Sequence, residues 1–193
     1  MKSFKRLFIG IPVPQNRILL DFVGEMQRTF IQSRIKWVPS GNWHFTLRFL
    51  GDTPVRAISP IVEMMQRNLS SLPAFKGRIA GIGVFKSLRE PKVLWCGIYP
   101  AEPFQDIYKR ISPVAAITGS PAVKERFTPH LTLGRIKWLH DMELFRHWIE
   151  KYEYNPFFSF HVHNVVLYES VLKSSGPVYH IVEKISLHKL SST

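Results

Sequence analysis

The sequence His44-Phe45-Thr46-Leu47 returns 86 positions later as His130-Leu131-Thr132-Leu133. Both tetrapeptides lie in short apolar stretches, and in both a histidine and a threonine are separated by one apolar residue. Because side chains alternate between the two faces of a β-strand, each histidine and its threonine share one face, and the apolar pair faces a core. The repeat therefore predicts two equivalent strands, each displaying an imidazole and a hydroxyl.

The patterns around the repeat are duplicated as well. Apolar residues at helical spacing predict four helices, and apolar runs predict the strands. The predicted order is strand 6–11, a helix opened by Pro14 and reaching Phe30, strand 43–50, a turn at 51–54, helix 58–69, strands 75–85 and 92–99, helix 104–111, a strand through 130–133, helix 144–152, and strands 157–172 and 177–187. Shifting the first half by 86 residues lays strand on strand and helix on helix. We therefore expect two related lobes.

No Ser-, Gly- or Pro-rich linker separates these lobes, so residues 1–193 are expected to form a single domain of two interlocked lobes around a shared groove. A chain of 193 residues that is 45% hydrophobic and 13% aromatic can bury a sizeable core, which argues against disorder. Its single cysteine, Cys96, excludes an intramolecular disulfide, and there is no cysteine cluster for a structural zinc. These features favour a reducing, cytoplasmic setting.

The chain shows no membrane signal but carries a strong positive charge. The apolar run at residues 7–13 is short, contains Pro12 and lacks a cleavage site, and no apolar stretch reaches the length of a membrane span. The net charge of +12 favours a polyanionic partner, because each phosphate neutralised by Lys or Arg releases counterions. Nucleic acid is the expected partner. No exposed apolar helix stands out, so a monomer is expected.

Further motifs accompany the repeat in a specific order. They are residues 6–12 (RLFIGIP), 37–39 (WVP), 42–51 (NWHFTLRFLG), 126–135 (RFTPHLTLGR), 167–170 (LYES) and 176–179 (GPVY). With this order and spacing, nearly the whole chain resembles the two-histidine (2H) phosphoesterases. Within them it is similar to the bacterial and archaeal RNA 2′,3′-cyclic phosphodiesterases once described as 2′-5′ RNA ligases.

The resemblance implies an α+β fold, a bilobal pseudo-symmetric duplication with two antiparallel sheets facing each other across a central cleft and helices on the outside. It implies no metal or other cofactor, and RNA with a 2′,3′-cyclic phosphate end as the partner. It also implies that His44 is the proton donor toward the departing 3′ oxygen and His130 the proton acceptor for water, which leaves a 2′-phosphomonoester. The residues alone do not distinguish these roles, because the two motifs are equivalent in sequence.

The residue types fit this chemistry. Opening a cyclic phosphodiester requires one group that removes a proton from water and another that supplies a proton to the leaving oxygen. Histidine titrates near neutral pH, so two histidines in one site can hold different protonation states. The hydroxyls of Thr46 and Thr132 can donate to the non-bridging phosphate oxygens.

Three arginines are candidates for offsetting charge in the transition state. Arg135 is favoured, but regular alternation places it on the face opposite His130, so its use requires a twist or a bulge. Arg48 and Arg126 are weaker candidates, and alternation places Arg48 on the face of His44 and Thr46.

For the other residues that could bind a ligand or react, structural interpretations are favoured. His161 and His163 could share a metal, but the sequence offers no third ligand. Cys96 lies in an apolar strand, which favours a buried thiol. The aromatic residues Phe8, Trp43, Tyr168 and Tyr179 are mostly core candidates, although one at the rim of the cleft could stack on a base.

Three functions are compatible with the sequence. The first is a metal-independent RNA 2′,3′-cyclic phosphodiesterase. The second is an enzyme of the same fold acting on small nucleotide cyclic phosphates or on 2′-5′ oligoadenylate. The third is a non-catalytic module that binds nucleotide or RNA, which the two intact motifs disfavour.

Overall fold

The computed structural model describes residues 3–119, 127–174 and 176–188. Its elements in chain order are β1 (Phe4–Pro12), α1 (Arg17–Thr29), β2 (Arg34–Trp37), β3 (His44–Pro54), α2 (Ile58–Leu69), β4 (Phe75–Lys86), β5 (Pro91–Tyr99), α3 (Ala101–Arg110), α4 (Val114–Thr118), β6 (His130–Trp138), α5 (Met142–Tyr152), β7 (Pro156–Val162), β8 (Asn164–Lys173) and β9 (Gly176–Ser186). Short 3-10 turns at Ser40–Asn42 and Val55–Ala57 precede β3 and α2.

The strands form two antiparallel sheets. The four-stranded sheet has the order β3-β1-β8-β9, and the five-stranded sheet has the order β2-β6-β5-β4-β7. Each sheet combines strands from both halves of the sequence. Strands β3 and β6, which carry the repeated tetrapeptides, belong to different sheets. They contact each other where the two sheets meet. The predicted α+β fold of two antiparallel sheets facing across a cleft is confirmed.

Helices cover the faces of the sheets that point away from the histidines. Helices α1 and α5 contact the five-stranded sheet, where the rings of Phe22 and Phe157 lie 4.8 Å apart. Helix α3 packs beside the four-stranded sheet, where the rings of Phe104 and Phe45 lie 4.7 Å apart. All four residues are at most 7% exposed, so these contacts belong to the core. Among the described residues, no helix has both the length and the apolar character needed to cross a bilayer.

Some predicted boundaries are wrong. Residues 51–54, predicted as a turn, continue β3 because they pair with β1 as far as Phe4 opposite Pro54. The predicted strand 157–172 is two strands in different sheets, β7 and β8, separated at His163. Helix α1 begins after Asn16 instead of at Pro14, since the Asn16 side chain accepts a hydrogen bond from the Ile18 backbone amide.

Candidate active site

His44 is the first residue of β3, and two hydrogen bonds fix its ring. Its Nδ1 donates to the backbone carbonyl of Asn42 at 2.7 Å, which requires the proton on Nδ1 because a carbonyl only accepts. The Thr46 hydroxyl lies 3.2 Å from Nε2 and donates to it in this tautomer. The Asn42 side chain in turn donates to the carbonyl of Pro177 at 3.1 Å, which ties the approach to β3 to strand β9.

His130 is the first residue of β6 and is held in the same way. Its Nδ1 donates to the backbone carbonyl of Thr128 at 2.8 Å. In both motifs the acceptor is therefore the carbonyl two residues before the histidine, and Nε2 is left as the chemically available nitrogen. Thr132 lies on the half-buried face of β6 that His130 occupies, as alternation predicts.

Gly10 makes room for the His44 ring. It lies on β1 directly opposite Thr46. A Cβ atom added at Gly10 would lie 3.4 Å from Cδ2 of His44 and 3.0 Å from the carbonyl oxygen of Phe45. Any larger side chain at this position would displace the imidazole or the strand.

A β-bulge follows the threonine in both motifs. On β3, Thr46 lies opposite Gly10 and Arg48 lies opposite Ile9, so Leu47 is an extra residue. On β6, Thr132 lies opposite Trp95 and Gly134 opposite Leu94, so Leu133 is the extra residue. An extra residue reverses the alternation of the strand beyond it.

The bulge at Leu133 brings Arg135 onto the face of His130. Arg135 lies opposite Val93, which shares its strand face with Trp95, the residue opposite Thr132. The charge of the guanidinium adds to the effect of burial in lowering the pKa of His130, and it partly offsets the burial that raises the pKa of Tyr179. The bulge meets the condition that the sequence sets for the use of Arg135, and its role in the site stays a prediction.

The matching bulge at Leu47 removes Arg48 from the face of His44. Arg48 lies opposite Ile9, a fully buried core residue, and is itself only 5% exposed. The prediction that Arg48 shares the face of His44 and Thr46 is therefore wrong. Phe49 takes that place instead, opposite Phe8, and is 69% exposed. Arg126, the third candidate, lies outside the described residues.

Three aromatic rings surround His44. Phe8 lies 4.9 Å from the imidazole, Tyr179 lies 5.0 Å away at 85°, and Tyr168 lies 6.0 Å away. Phe8 also stacks on Tyr168 at 4.9 Å. The prediction that these aromatic residues are mostly core is confirmed for Phe8 and Tyr168, which are 3% and 8% exposed, with Tyr179 packed against them. The same rings also form a wall of the site. A signal was present on β1, where Phe8 stands between two core residues and must face the other way.

The surroundings of both imidazoles favour their neutral forms. Burial lowers the pKa of His44 below its ordinary value of 6.5, the Asn42 carbonyl partly opposes this shift, and His130 adds to it. Burial also lowers the pKa of His130, the Thr128 carbonyl opposes the shift, and Arg135 adds to it. The two histidines thus interact electrostatically, and the strands that begin at them contact each other.

The other candidate residues lie outside this site. His161 and His163 stack with ring centroids 5.6 Å apart, and no group of three or more His, Cys, Asp or Glu side chains suited to a metal occurs within 3–119, 127–174 and 176–188. Cys96 is fully buried, and burial raises the pKa of its thiol, which confirms the expected inert thiol.

Two antiparallel sheets that present one His-x-Thr strand each across a cleft define the two-histidine class of phosphoesterases. Within that class, the chain belongs to the family described as "LigT like Phosphoesterase", whose family model matches residues 9–95 and 98–179.

Similar proteins from archaea and bacteria carry the same name. A protein of Methanocaldococcus jannaschii is 30% identical over 179 residues, which are 93% of this chain and 99% of the relative. A protein of Aquifex aeolicus is 34% identical over 187 residues, 94% of this chain and 97% of the relative. Both are named RNA 2′,3′-cyclic phosphodiesterase.

Solved structures share the fold over almost the whole chain. A crystal structure of a Thermus thermophilus protein has a TM-score of 0.74 and 27% identity, covering 94% of this chain and 97% of that one. The apo structure of Escherichia coli LigT has a TM-score of 0.72 at 20% identity, covering 96% and 99%.

Proposed function

We propose that the protein hydrolyses RNA 2′,3′-cyclic phosphate ends to 2′-phosphomonoesters, with His44 as general acid and His130 as general base. The observation that carries this proposal is the pair of imidazoles on opposite sheets, each with Nδ1 bound to the carbonyl two residues before it. The relatives from Methanocaldococcus and Aquifex, which align over more than nine tenths of the chain, are named for this activity.

The reaction is one in-line displacement at phosphorus. Nε2 of His130 removes a proton from water as the water oxygen bonds to phosphorus. The bond between phosphorus and the 3′ oxygen breaks, and Nε2 of His44 gives its proton to that oxygen. The products are a free 3′ hydroxyl and a 2′-phosphomonoester. A proton must then move from His130 to solvent and another from solvent to His44 before the next turnover.

The neighbours of each ring support this assignment of roles. The positive charge of Arg135 disfavours protonation of His130 and so favours its neutral form, which a base requires. Around His44, the π-faces of nearby aromatic rings attract a cation. A bound phosphodiester anion between the rings opposes the effect of burial and raises the pKa of His44. Substrate binding thus favours the protonated acid.

Thr46, Thr132 and Arg135 then bind the non-bridging oxygens of the phosphate. Once His44 is protonated, its Nε2 donates to the 3′ oxygen and no longer accepts from Thr46, so the Thr46 hydroxyl proton becomes available to the phosphate. The Arg135 guanidinium adds charge-assisted hydrogen bonds as negative charge builds up in the transition state.

Both proton transfers use imidazoles, so the mechanism requires neither metal nor cofactor. We also propose that the protein acts as a cytoplasmic monomer. Its one cysteine is buried and unpaired, as in a chain that needs no disulfide, which fits a reducing compartment.

The test is incubation of a short RNA ending in a 2′,3′-cyclic phosphate with the protein in EDTA, followed by identification of the terminal group. We expect a 2′-phosphate that is absent with His44→Ala and with His130→Ala. A 3′-phosphate would contradict the assigned leaving oxygen. Full inhibition by EDTA would contradict metal independence, and tight RNA binding without turnover would favour the non-catalytic module.

A further inference from the structure

The face of the five-stranded sheet that carries His130 extends well beyond the histidine. On β4, Arg78 lies opposite Tyr99 of β5 and Ser159 of β7, and Lys76 lies opposite His161. All five side chains are exposed. We call these five residues the β4 track.

The β4 track is continuous with the active site. On β5, Tyr99 shares its strand face with Gly97, and Gly97 lies directly opposite His130. A Cβ atom added at Gly97 would lie 2.9 Å from the Tyr99 ring, so the phenol lies over Gly97, between His130 and Arg78.

A third bulge, at Gly81, places Phe85 on the same face of β4 as Arg78. Gly81 has φ +67°, and it is the extra residue between Ala80, opposite Gly97, and Ile82, opposite Cys96. A Cβ atom at Gly81 would lie 2.1 Å from the carbonyl oxygen of Glu153, so only glycine fits. Phe85, whose ring lies 4.5 Å from His130, thereby shares a face with Arg78. Regular alternation would place them on opposite faces.

The track is positively charged. Neither Lys76 nor Arg78 forms an ion pair with a carboxylate in the part of the chain that the structure describes. Together with Tyr99 and Ser159 they line an open hollow of about 600 Å³. Glu102 also lines this hollow, so two cations and one carboxylate face it. The acidic side chains of Glu150 and Glu153 line a neighbouring hollow that Tyr99 also borders.

Geometry makes the track a separate subsite. Neighbouring strands lie about 4.8 Å apart, so β4 lies about 10 Å from β6 across the sheet. A terminal cyclic phosphate bound between the histidines cannot contact Arg78. An anion held there must therefore be a second phosphate, further along the same RNA strand.

We propose that the β4 track binds the single-stranded RNA on the 5′ side of the reacting nucleotide, with phosphates on Lys76 and Arg78 and a base stacked on Tyr99. This inference rests on the proposed function and narrows it to oligonucleotide substrates. An exposed aromatic ring flanked by exposed cations is the combination that single-stranded nucleic acid uses. The net charge of +12 is consistent with such a partner.

The test compares two substrates, a nucleoside 2′,3′-cyclic phosphate and a short RNA with the same end. The variant is Lys76→Ala/Arg78→Ala. The matched control is Arg56→Ala/Arg67→Ala, which removes the same charge from exposed positions beside and on α2. At low salt we expect the double variant to lose about tenfold in kcat/KM for the RNA, mainly through KM. The mononucleotide is too short to reach the track, so its kcat/KM stays unchanged.

Affinity for the product RNA, ending in a 2′-phosphate, is measured in parallel by fluorescence anisotropy. We expect the salt dependence of log affinity to become shallower by about 0.7 for each phosphate contact removed. Tyr99→Ala should weaken RNA binding at every salt concentration, and the control should bind normally. The inference is overturned if the Lys76→Ala/Arg78→Ala variant binds RNA as tightly as the control. It is also overturned if kcat/KM falls equally for both substrates. If the wild type hydrolyses neither substrate, the proposed function fails, and the binding data still decide the inference.

Discussion

The His44 and His130 half-sites are held alike but surrounded differently. In each, a strand begins at the histidine, Nδ1 binds the carbonyl two residues earlier, and a bulge follows the threonine. Beyond the bulge, however, the equivalent positions hold Phe49 in one half and Arg135 in the other. Duplication thus gives the two imidazoles equivalent positions, and in the proposed mechanism the differences between their neighbours distinguish the acid from the base.

The largest expected effect comes from removing either imidazole. His44→Ala and His130→Ala should each lower kcat by about 10³-fold or more, because each removes one proton-transfer step. The double variant should be little slower than either single variant, since the two groups act in one step. Single-turnover rates measure this, with circular dichroism as the check on folding. A loss below tenfold in either variant would contradict the pairing.

Arg135 comes next, because it distinguishes the two halves. Arg135→Ala should lower kcat by about 10²-fold through lost stabilisation of the transition state. It should also raise the pKa of His130, so the acidic limb of the kcat/KM profile moves to higher pH. Lys137→Ala, which removes an exposed cation from the same strand, is the control and should change neither quantity. An unmoved acidic limb would show that Arg135 does not act on His130.

Phe49→Arg would make the two halves alike. The added cation should lower the pKa of His44, so that the acid loses its proton at lower pH and the alkaline limb of kcat/KM shifts downward. A loss of about tenfold at pH 8 is expected. Phe49→Met changes the side chain without adding charge and should leave the limb in place. A shift of the acidic limb instead would reverse the assigned roles.

The smallest effect is on stability. Because burial depresses both histidine pKa values in the folded state, the unfolded chain binds more protons as the pH falls below 6.5, the ordinary histidine value. The free energy of unfolding should therefore fall on acidification from about pH 7 and be independent of these groups at higher pH. In His44→Gln/His130→Gln, denaturant titrations should show a weaker fall. An equal fall would place the cause elsewhere.

Alternation along a strand correctly placed His44 with Thr46, and His130 with Thr132, on one face, because residues two positions apart on a strand point the same way. It failed at Arg48, since a bulge depends on how the strand pairs with its neighbour. Alternation on β1 indicated only that Phe8 faces away from the main core, and the rest of the aromatic wall behind His44 depends on pairing between distant strands. This wall requires β1 to pair with β8, so that Phe8 lies opposite Tyr168 from the far end of the chain.

The helices and strands were predicted from the sequence more completely than the residues that surround the two histidines. The apolar patterns and the repeat predicted the four long helices, most of the strands and two related lobes. The arrangement in two antiparallel sheets with outer helices was implied by the resemblance to the two-histidine phosphoesterases. Strand β2 was missed because its four residues alternate between exposed and half-buried without a fully buried position. The β4 track was missed because the bulge at Gly81 reverses the face of half its strand.

The most direct test of the two roles is a substrate whose 3′ bridging oxygen is replaced by sulfur. A thiolate leaves without needing a proton, so this 2′,3′-cyclic phosphorothiolate needs the base but not the acid. We predict that His44→Ala hydrolyses it at nearly the wild-type rate, whereas His130→Ala remains inactive. Rescue of His130→Ala, or of neither variant, would contradict the assignment of acid and base to the two walls of the cleft.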